Sequence, residues 1–239
     1  MIGVYDYTVI LTYLSLLSGA MGIIVSMSGI GHPFIGMYFL LFSGLCDTFD
    51  GIVARTKKNR TQIEKDFGVQ IDSFADLIAF GVLPVSIGIA MLRISTRFTY
   101  IPKLHPREGE FRWYPVLFLF IAFIYILAAV IRLSYFNVTE DERAKEKAET
   151  GRSSYTGLPV TSASLIFPFV LLLHYILDFD LSVAYFCVML LTGFLFLGRF
   201  KIKKPSKKML TILILIGVVE FILALIVKFN IVDFGFPGK

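Results

Sequence analysis

Long apolar runs constrain the fold of this chain more than any other feature of its sequence. A helix needs about 20 mostly apolar residues to cross a bilayer, and runs of that kind recur along the whole chain. Hydropathy predicts seven spans, with six or eight as alternatives because two prolines and a three-residue step blur the boundaries around the fifth. The predicted spans are Tyr7–Met27, Pro33–Arg55, Val69–Leu92, Tyr114–Asn137, Leu158–Leu177, Leu181–Leu197 and Lys208–Val227.

The composition supports a membrane-embedded chain. Of its 239 residues, 56% are hydrophobic and 17% are charged, whereas a soluble domain carries about 25% charged residues. This balance excludes an ordinary soluble domain and a disordered chain. We therefore predict one all-α integral membrane domain over residues 1–239, a polytopic helical bundle. Cys46 and Cys187 lie in apolar runs and give neither a disulfide framework nor a zinc pattern.

Basic residues predict the orientation of the chain. They concentrate in the connections after the second, fourth and sixth spans, and the positive-inside rule places these connections and the N-terminus in the cytoplasm. The connection 93–112 also holds five basic residues and falls on the opposite side, against the rule. The basic connections either set topology alone or also hold phosphates and anionic head groups. The mixed charges of Glu140–Gly151 favour a solvated helical extension of span four.

Four aspartates lie inside predicted spans, where ionisable side chains are costly and mark function. Asp47 and Asp50 are three residues apart and Asp72 and Asp76 are four apart, so each pair shares one face of its helix. The first pair lies near the C-terminal end of its span, where the helix dipole disfavours negative charge. Arg55 alone cannot balance four carboxylates in a low-dielectric environment. We therefore expect divalent metal ions.

Hard oxygen ligands in this number favour Mg²⁺, Mn²⁺ or Ca²⁺ over zinc. Four carboxylates from two helices can bridge two ions about 3.5–4 Å apart. Small residues accompany the acids, at Gly44, Gly51 and Ala54. They have two interpretations: they allow close helix packing, or they let a nucleotide approach the backbone.

The acidic, small and basic residues fall into one motif, Asp47-x-x-Asp50-Gly51-x-x-Ala54-Arg55 followed by Gly68-x-x-x-Asp72-x-x-x-Asp76. This motif resembles the signature of the CDP-alcohol phosphotransferases, integral membrane enzymes that join a CDP-linked donor to an alcohol. The family usually has eight residues between the arginine and the second glycine, and this chain has twelve, Thr56–Phe67. Thr61 stands where related enzymes often have a donor-binding serine or threonine.

The segments around the signature at 47–76 are similar to those of the membrane-embedded (type II) phosphatidylserine synthases within that family. The similar segments are Asp72–Pro84, Arg132–Asn137 and Gly157–Ala163, so the resemblance extends to about residue 163. It implies an enzyme of phospholipid biosynthesis that transfers the phosphatidyl group from CDP-diacylglycerol to L-serine and releases CMP. Such an enzyme is a multi-pass protein of the cell membrane whose active site faces the cytoplasm.

The resemblance also implies roles for individual residues. Asp47, Asp50 and Asp72 hold two metal ions, Mg²⁺ or Mn²⁺, while Asp76 touches the second ion and acts as general base. The residues that contact the CDP donor or lie against it are Gly51, Ala54, Arg55, Thr61 and Gly68. An arginine at the membrane surface can bind phosphate oxygens with both arms of its guanidinium group.

Arg132 and Asn137, near the cytoplasmic end of span four, are the candidates for binding the serine carboxylate. Their alternatives are structural: Arg132 pairs with Glu140 or extends to the interface, and Asn137 caps a helix. The histidines lie on the wrong side or deep in apolar runs and are interpreted as structural; they are His32, His105 and His174. We expect the bilayer and no nucleic acid as a partner, with a homodimer among the expected assemblies.

Two kinds of alternative function remain open. Intramembrane acids also mark ion-coupled transporters, which place them near mid-span on helices broken by glycine or proline. Within the family, phosphatidylglycerophosphate and phosphatidylinositol-phosphate synthases are closer alternatives, but their phosphate-bearing acceptors need a further basic cluster. Archaetidylserine synthesis from CDP-archaeol is equally open, because the apolar spans do not distinguish the two lipid tails.

Overall fold

The computed structural model describes residues 3–28, 33–95, 114–139, 154–177, 179–203 and 207–233. Over these ranges the chain forms a bundle of seven helical rods, which confirms the predicted all-α membrane architecture. The helices are α1 (Ile10–Met27), α2 (Pro33–Ala54), α3 (Gln62–Asp76), which continues through a π-helical segment (Leu77–Val82) into α4 (Leu83–Ile94), α5 (Tyr114–Val138), α6 (Ala163–Ile176), α7 (Ser182–Leu197) and α8 (Lys207–Asp233).

Five of these rods are long and apolar enough to cross a membrane. Two are shorter apolar helices, 160–176 and 182–197, of which the first includes a 3₁₀ turn at Val160–Ser162 before α6. The predicted extension at Glu140–Gly151 and residues 96–112 of the predicted outer connection lie outside the described ranges, as do His32 and His105. His174 Nδ1 accepts a hydrogen bond from Leu181 N at 3.0 Å, which is a structural role.

The third rod begins earlier than hydropathy predicts, at Gln62 instead of Val69. Thr61 and Glu64 form a capping box there: Thr61 Oγ1 accepts from Glu64 N at 3.2 Å, and Glu64 Oε2 accepts from Thr61 N at 2.7 Å. The 33 residues of this rod extend for about 50 Å, well beyond a hydrocarbon layer of about 30 Å. Its first turns therefore project from the membrane. Because these turns are polar, hydropathy does not predict that they are helical.

A π-helical segment separates α3 from α4. Pro84 has no N–H to give to the carbonyl of Phe80 four residues earlier, and Tyr125 of α5 supplies the missing donor through its hydroxyl at 2.6 Å. Tyr185 of α7 donates to the carbonyl of Pro84 at 2.8 Å. Phe80 and both tyrosines are fully buried, so α5 and α7 are fastened to the rod just beyond Asp76.

Small and hydroxyl-bearing residues fill the buried face of α1: Thr12, Ser15, Ser18, Gly19, Gly22 and Ser26. Serine hydroxyls on each of the two helices donate to backbone carbonyls of the other, α1 to α2 and α2 to α1. Ser43 Oγ donates to the carbonyl of Ser15 at 3.0 Å, and Ser18 Oγ donates to the carbonyl of Phe39 at 2.8 Å. Small side chains let membrane helices approach closely, and interhelical hydrogen bonds then fix their register.

Two short strands join connections at one end of the bundle. Strand β1 (Ser154–Thr156) pairs antiparallel with β2 (Lys201–Lys203), and Gly157 N donates to Phe200 O at 2.7 Å. Gly157 has a φ of 75° and a Cβ there would lie 2.8 Å from the carbonyl oxygen of Gly198, so this turn requires glycine. The ribbon thereby fixes the segment that leads into α6.

Candidate active site

Helices α2 and α3 bring three of the predicted metal ligands together. One carboxylate oxygen from each of Asp47, Asp50 and Asp72 lies within 4.8 Å of the other two. Asp47 and Asp50 occupy the last two turns of α2, which ends at Ala54, so the cluster lies toward one end of the bundle. An all-oxygen donor set on two rigid helices fits a hard divalent cation such as Mg²⁺ or Mn²⁺.

Asp76 lies one turn further along α3, is buried, and is in hydrogen-bonding contact with Asp47. Asp72 makes the corresponding contact with Asp50. Each acid of α2 therefore faces one acid of α3. Carboxylates this close repel one another unless a cation or a shared proton compensates them, which is the condition that a metal ion satisfies.

The two interpretations of the small residues apply to different glycines. A Cβ on Gly44 would lie 2.5 Å from the side chain of Ser164, so Gly44 serves the packing of α2 against α6. Among the described residues, a Cβ on Gly51 would meet only the end of the Arg55 side chain, with Nη2 at 3.5 Å. The backbone at Gly51 is thus open beside the acids and bordered by an exposed guanidinium group, and Ala54 is half-buried on the same stretch.

Thr61 and Gly68 have structural partners. Thr61 caps α3, and a Cβ on Gly68 would lie 2.7 Å from Nη2 of Arg60, which donates to the carbonyl of Glu64 at 2.9 Å. The four residues by which this chain exceeds the family's usual spacing fit about one helical turn at the start of α3. Gly68, Asp72 and Asp76 consequently keep a common face despite the insertion, and donor binding by Thr61 and Gly68 stays a prediction.

A lysine holds the N-terminal segment beside the cluster. Lys57 Nζ lies 2.7 Å from Asp6 Oδ2 and 2.8 Å from Glu64 Oε1. The hydrogen bond from Lys57, with a smaller contribution from Thr8, lowers the pKa of Asp6 to about 2. The hydrogen bonds to Asp6 and then Glu64 raise the pKa of Lys57. The connection that carries Arg55 is therefore tied on both sides by ion pairs.

Arg132 and Asn137 both contact segments next to the cluster. Arg132 is only 6% exposed and its Nε donates to the carbonyl of Leu158 at 3.1 Å, so it does not extend to the interface; Glu140 lies outside the described residues. Asn137 Nδ2 donates to Ser73 Oγ at 2.8 Å, which places it against α3 next to Asp72. Binding of serine by these two residues stays a prediction.

Helix α1 makes a contact with the acid cluster that the sequence patterns do not predict. Thr12 Oγ1 of α1 donates to Asp50 Oδ2 at 3.3 Å, and both residues are buried. The signal was present, because a hydroxyl residue or a glycine recurs every three or four positions from Thr8 to Ser26 in a span that is otherwise apolar. Such a stripe predicts a buried polar face without showing what it contacts.

Comparison with known proteins agrees with this geometry. The sequence profile of the CDP-alcohol phosphatidyltransferase family matches residues 8–197, which span the helices from α1 to α7. The CDP-diacylglycerol–serine O-phosphatidyltransferase of Saccharomyces cerevisiae is 32% identical over 64% of this chain and 50% of its own length. The archaetidylserine synthase of Methanothermobacter thermautotrophicus is 28% identical over 65% of this chain and 53% of its own length.

The CDP-diacylglycerol–serine O-phosphatidyltransferase of Helicobacter pylori is 24% identical over 90% of this chain and 81% of its own length. The chain spans about half the length of the yeast and archaeal relatives. No solved structure matches the chain. Because the family profile covers most of the sequence, including every acid of the cluster, the chain belongs to the CDP-alcohol phosphatidyltransferase family.

Proposed function

We propose that this protein transfers the lipid phosphoryl group of a CDP-linked lipid to L-serine and releases CMP, at the cytoplasmic face of the cell membrane. The observation that carries the proposal is the convergence of Asp47, Asp50 and Asp72 beside the open backbone of Gly51. The names of the yeast, archaeal and Helicobacter relatives support serine as the acceptor. They support either CDP-diacylglycerol or CDP-archaeol as the donor.

The acids divide into binding and proton-transfer roles. Asp47, Asp50 and Asp72 hold Mg²⁺ or Mn²⁺, and the bound ions neutralise the diphosphate and polarise its phosphorus. Arg55, at the edge of the open face, binds the donor phosphates. The serine hydroxyl oxygen attacks the lipid-attached phosphorus, the bond from that phosphorus to the CMP oxygen breaks, and Asp76 accepts the hydroxyl proton.

Arg132 and Asn137 supply the acceptor side of this proposal. Arg132 is a buried cation that can pair with the serine carboxylate, and its hydrogen bond to Leu158 fixes its direction. Asn137 is held beside Asp72 through Ser73. Both residues belong to α5, and the contact of Asn137 with Ser73 supports a position of this residue beside the helix that carries Asp72 and Asp76.

The acids are at a position that favours an enzyme over a transporter. An ion pathway places its acids near mid-span, whereas Asp47 and Asp50 lie in the last two turns of α2. The ion-pair network of Lys57 belongs to the connection that directly follows α2. A cluster at the membrane surface is accessible to a nucleotide diphosphate and to a water-soluble acceptor.

The test is acceptor-dependent release of CMP by the full chain in nanodiscs. CDP-diacylglycerol and CDP-archaeol are supplied in parallel with Mn²⁺ and one acceptor at a time: L-serine, glycerol 3-phosphate or inositol phosphate. We expect release with serine, none in excess chelator, and none from Asp72→Asn as the matched control. Release with glycerol 3-phosphate or inositol phosphate but not with serine would overturn the assignment of serine as acceptor. Full activity in chelator would overturn the proposal that the acids hold a metal ion.

A further inference from the structure

Helix α1 carries no residue of the signature, yet one of its side chains reaches the acid cluster. Thr12 Oγ1 donates to Asp50 Oδ2 at 3.3 Å. Thr12 is 5% exposed and Asp50 is 9% exposed, so water does not compete for this contact. A carboxylate offers about four lone-pair sites, and Asp50 can therefore accept this hydrogen bond and still ligate a metal ion.

The packing of α1 on α2 holds the threonine hydroxyl at this place. The hydrogen bonds of Ser43 to the Ser15 carbonyl and of Ser18 to the Phe39 carbonyl fix the register of the two helices. Threonine is also restricted about χ1 in a helix, where it has two favoured rotamers. The position of α1 against α2 thus directs the Thr12 hydroxyl at Asp50. The Thr12 side chain therefore has little conformational freedom left to lose when a ligand binds.

We propose that Thr12 is a positioning residue, which orients the Asp50 carboxylate for binding a divalent cation. This inference rests on the proposed function, because it takes Asp50 as a metal ligand. A ligating carboxylate that is itself hydrogen-bonded keeps one orientation before the metal arrives. Loss of such a partner typically weakens metal affinity by about 10–100-fold, and the effect is on affinity because the hydroxyl does not touch the reacting atoms.

The experiment measures Mn²⁺ binding to the full chain in nanodiscs without substrate, by the loss of the electron paramagnetic resonance signal of free Mn²⁺. Thr12→Val keeps the shape of the side chain and removes the donor, and we expect it to bind Mn²⁺ about tenfold more weakly. Thr12→Ser restores the hydroxyl and should bind within about twofold of the original chain, since the donor is retained. Ser26→Ala is the matched control, because it removes another buried hydroxyl of α1 that makes neither of the hydrogen bonds fixing the register and lies about four turns from Thr12.

The outcomes separate this inference from the proposed function. No Mn²⁺ binding by the unaltered chain would overturn the metal site itself. Binding that Asp50→Asn abolishes but Thr12→Val leaves unchanged would overturn the positioning role alone, and so would equal losses in Thr12→Val and Ser26→Ala. Melting temperatures measured without metal show whether each variant folds. If Thr12→Val does not fold, Thr12→Cys takes its place, and an undiminished affinity in that variant, whose thiol is a weak donor, would overturn the role.

Discussion

Asp50 faces Asp72 and Asp47 faces Asp76 across the α2–α3 contact, and the two pairs differ in what they can do. Asp50 and Asp72 belong to the three-acid cluster together with Asp47. Asp76 is buried one turn beyond Asp72 and is not among the three acids whose oxygens lie within 4.8 Å of one another. A group in this place is better suited to exchange a proton with a substrate than to anchor a cation alone.

We expect Asp76→Asn to bind Mn²⁺ and CDP-lipid but to lose turnover by about 10²–10⁴-fold, which is the usual contribution of a general base. The amide keeps the size of the carboxyl group and can still donate to Asp47, but it cannot take a proton. Rapid-quench measurement of CMP formation, beside equilibrium binding of CDP-lipid, makes the distinction. Near-normal turnover would require a different base, and loss of Mn²⁺ binding equal to that of Asp72→Asn would make Asp76 a ligand only.

For Arg132→Lys we expect the KM for serine to rise while the KM for CDP-lipid changes little, since lysine keeps the charge but lacks the planar fork. The loss of one charge-assisted hydrogen bond is about 1.5–3 kcal/mol, or roughly 10- to more than 100-fold in kcat/KM for serine. Steady-state kinetics with each substrate varied in turn is the measurement. An equal fall in thermal stability and in the use of both substrates would show that the role of Arg132 is structural. The serine carboxylate would then be sought at Lys57, Lys58 or Arg152.

At the scale of elements, the rod that carries Asp72 and Asp76 contains a π-helical segment, and a side chain of another helix satisfies a backbone carbonyl there. Pro84 removes a donor from the carbonyl of Phe80, and the hydroxyl of Tyr125 replaces it. Because both groups are buried, the replacement is obligatory. The π-helical turn right after Asp76 therefore depends on α5, the same helix that presents Arg132.

Tyr125→Phe should lower the free energy of unfolding by about 1–3 kcal/mol, because it leaves the buried carbonyl of Phe80 without a partner. Tyr13→Phe is the control: the Tyr13 hydroxyl donates to the carbonyl of Val4 at 2.8 Å in a partly exposed position, where water can replace it. Unfolding in a graded mixture of mild and denaturing detergent compares the two variants. Equal stabilities of both variants would contradict the requirement at Phe80.

The sequence predicts an element well when a local pattern determines it and poorly when contacts between distant segments do. Runs of about 20 apolar residues identify α1, α2 and α5 directly. The first turns of α3 are polar, so their helix is encoded only by the capping residues Thr61 and Glu64, which hydropathy does not weigh. The pairing of Ser154–Thr156 with Lys201–Lys203 and the contact of Thr12 with Asp50 depend on registers between distant segments, which local patterns do not contain.

At the scale of the whole molecule, α8 carries none of the residues assigned to the site. It lies beyond residues 8–197, where the family profile matches, and most of its apolar side chains are exposed on the bundle surface. Its Glu220 is 5% exposed, beside a groove lined by apolar residues of α6 and α8. Within the described part of the chain, Oε2 of Glu220 has no hydrogen-bond partner.

Glu220→Leu should therefore stabilise the protein, by about 1–3 kcal/mol, since it removes a buried polar atom without a partner. Glu220→Gln keeps the polar group and should give no comparable gain. The melting temperatures of both variants and their rates of CMP release are the measurements, and we expect activity to be unchanged in each because α8 does not contribute to the acid cluster. A melting temperature that falls in Glu220→Leu would mean that the carboxyl group has a partner in the assembled membrane protein.

The ribbon between β1 and β2 sets an order of events during biosynthesis. A ribosome delivers the acids once it has passed Asp76, but the turn at Leu158 that holds Arg132 has its full set of contacts, with Leu195, Phe200 and strand β2, only after Lys203 has been made. At about 5–20 residues per second, roughly 6–25 s separate these two moments. Under the proposed function, a nascent chain can hold the nucleotide well before it can use the acceptor.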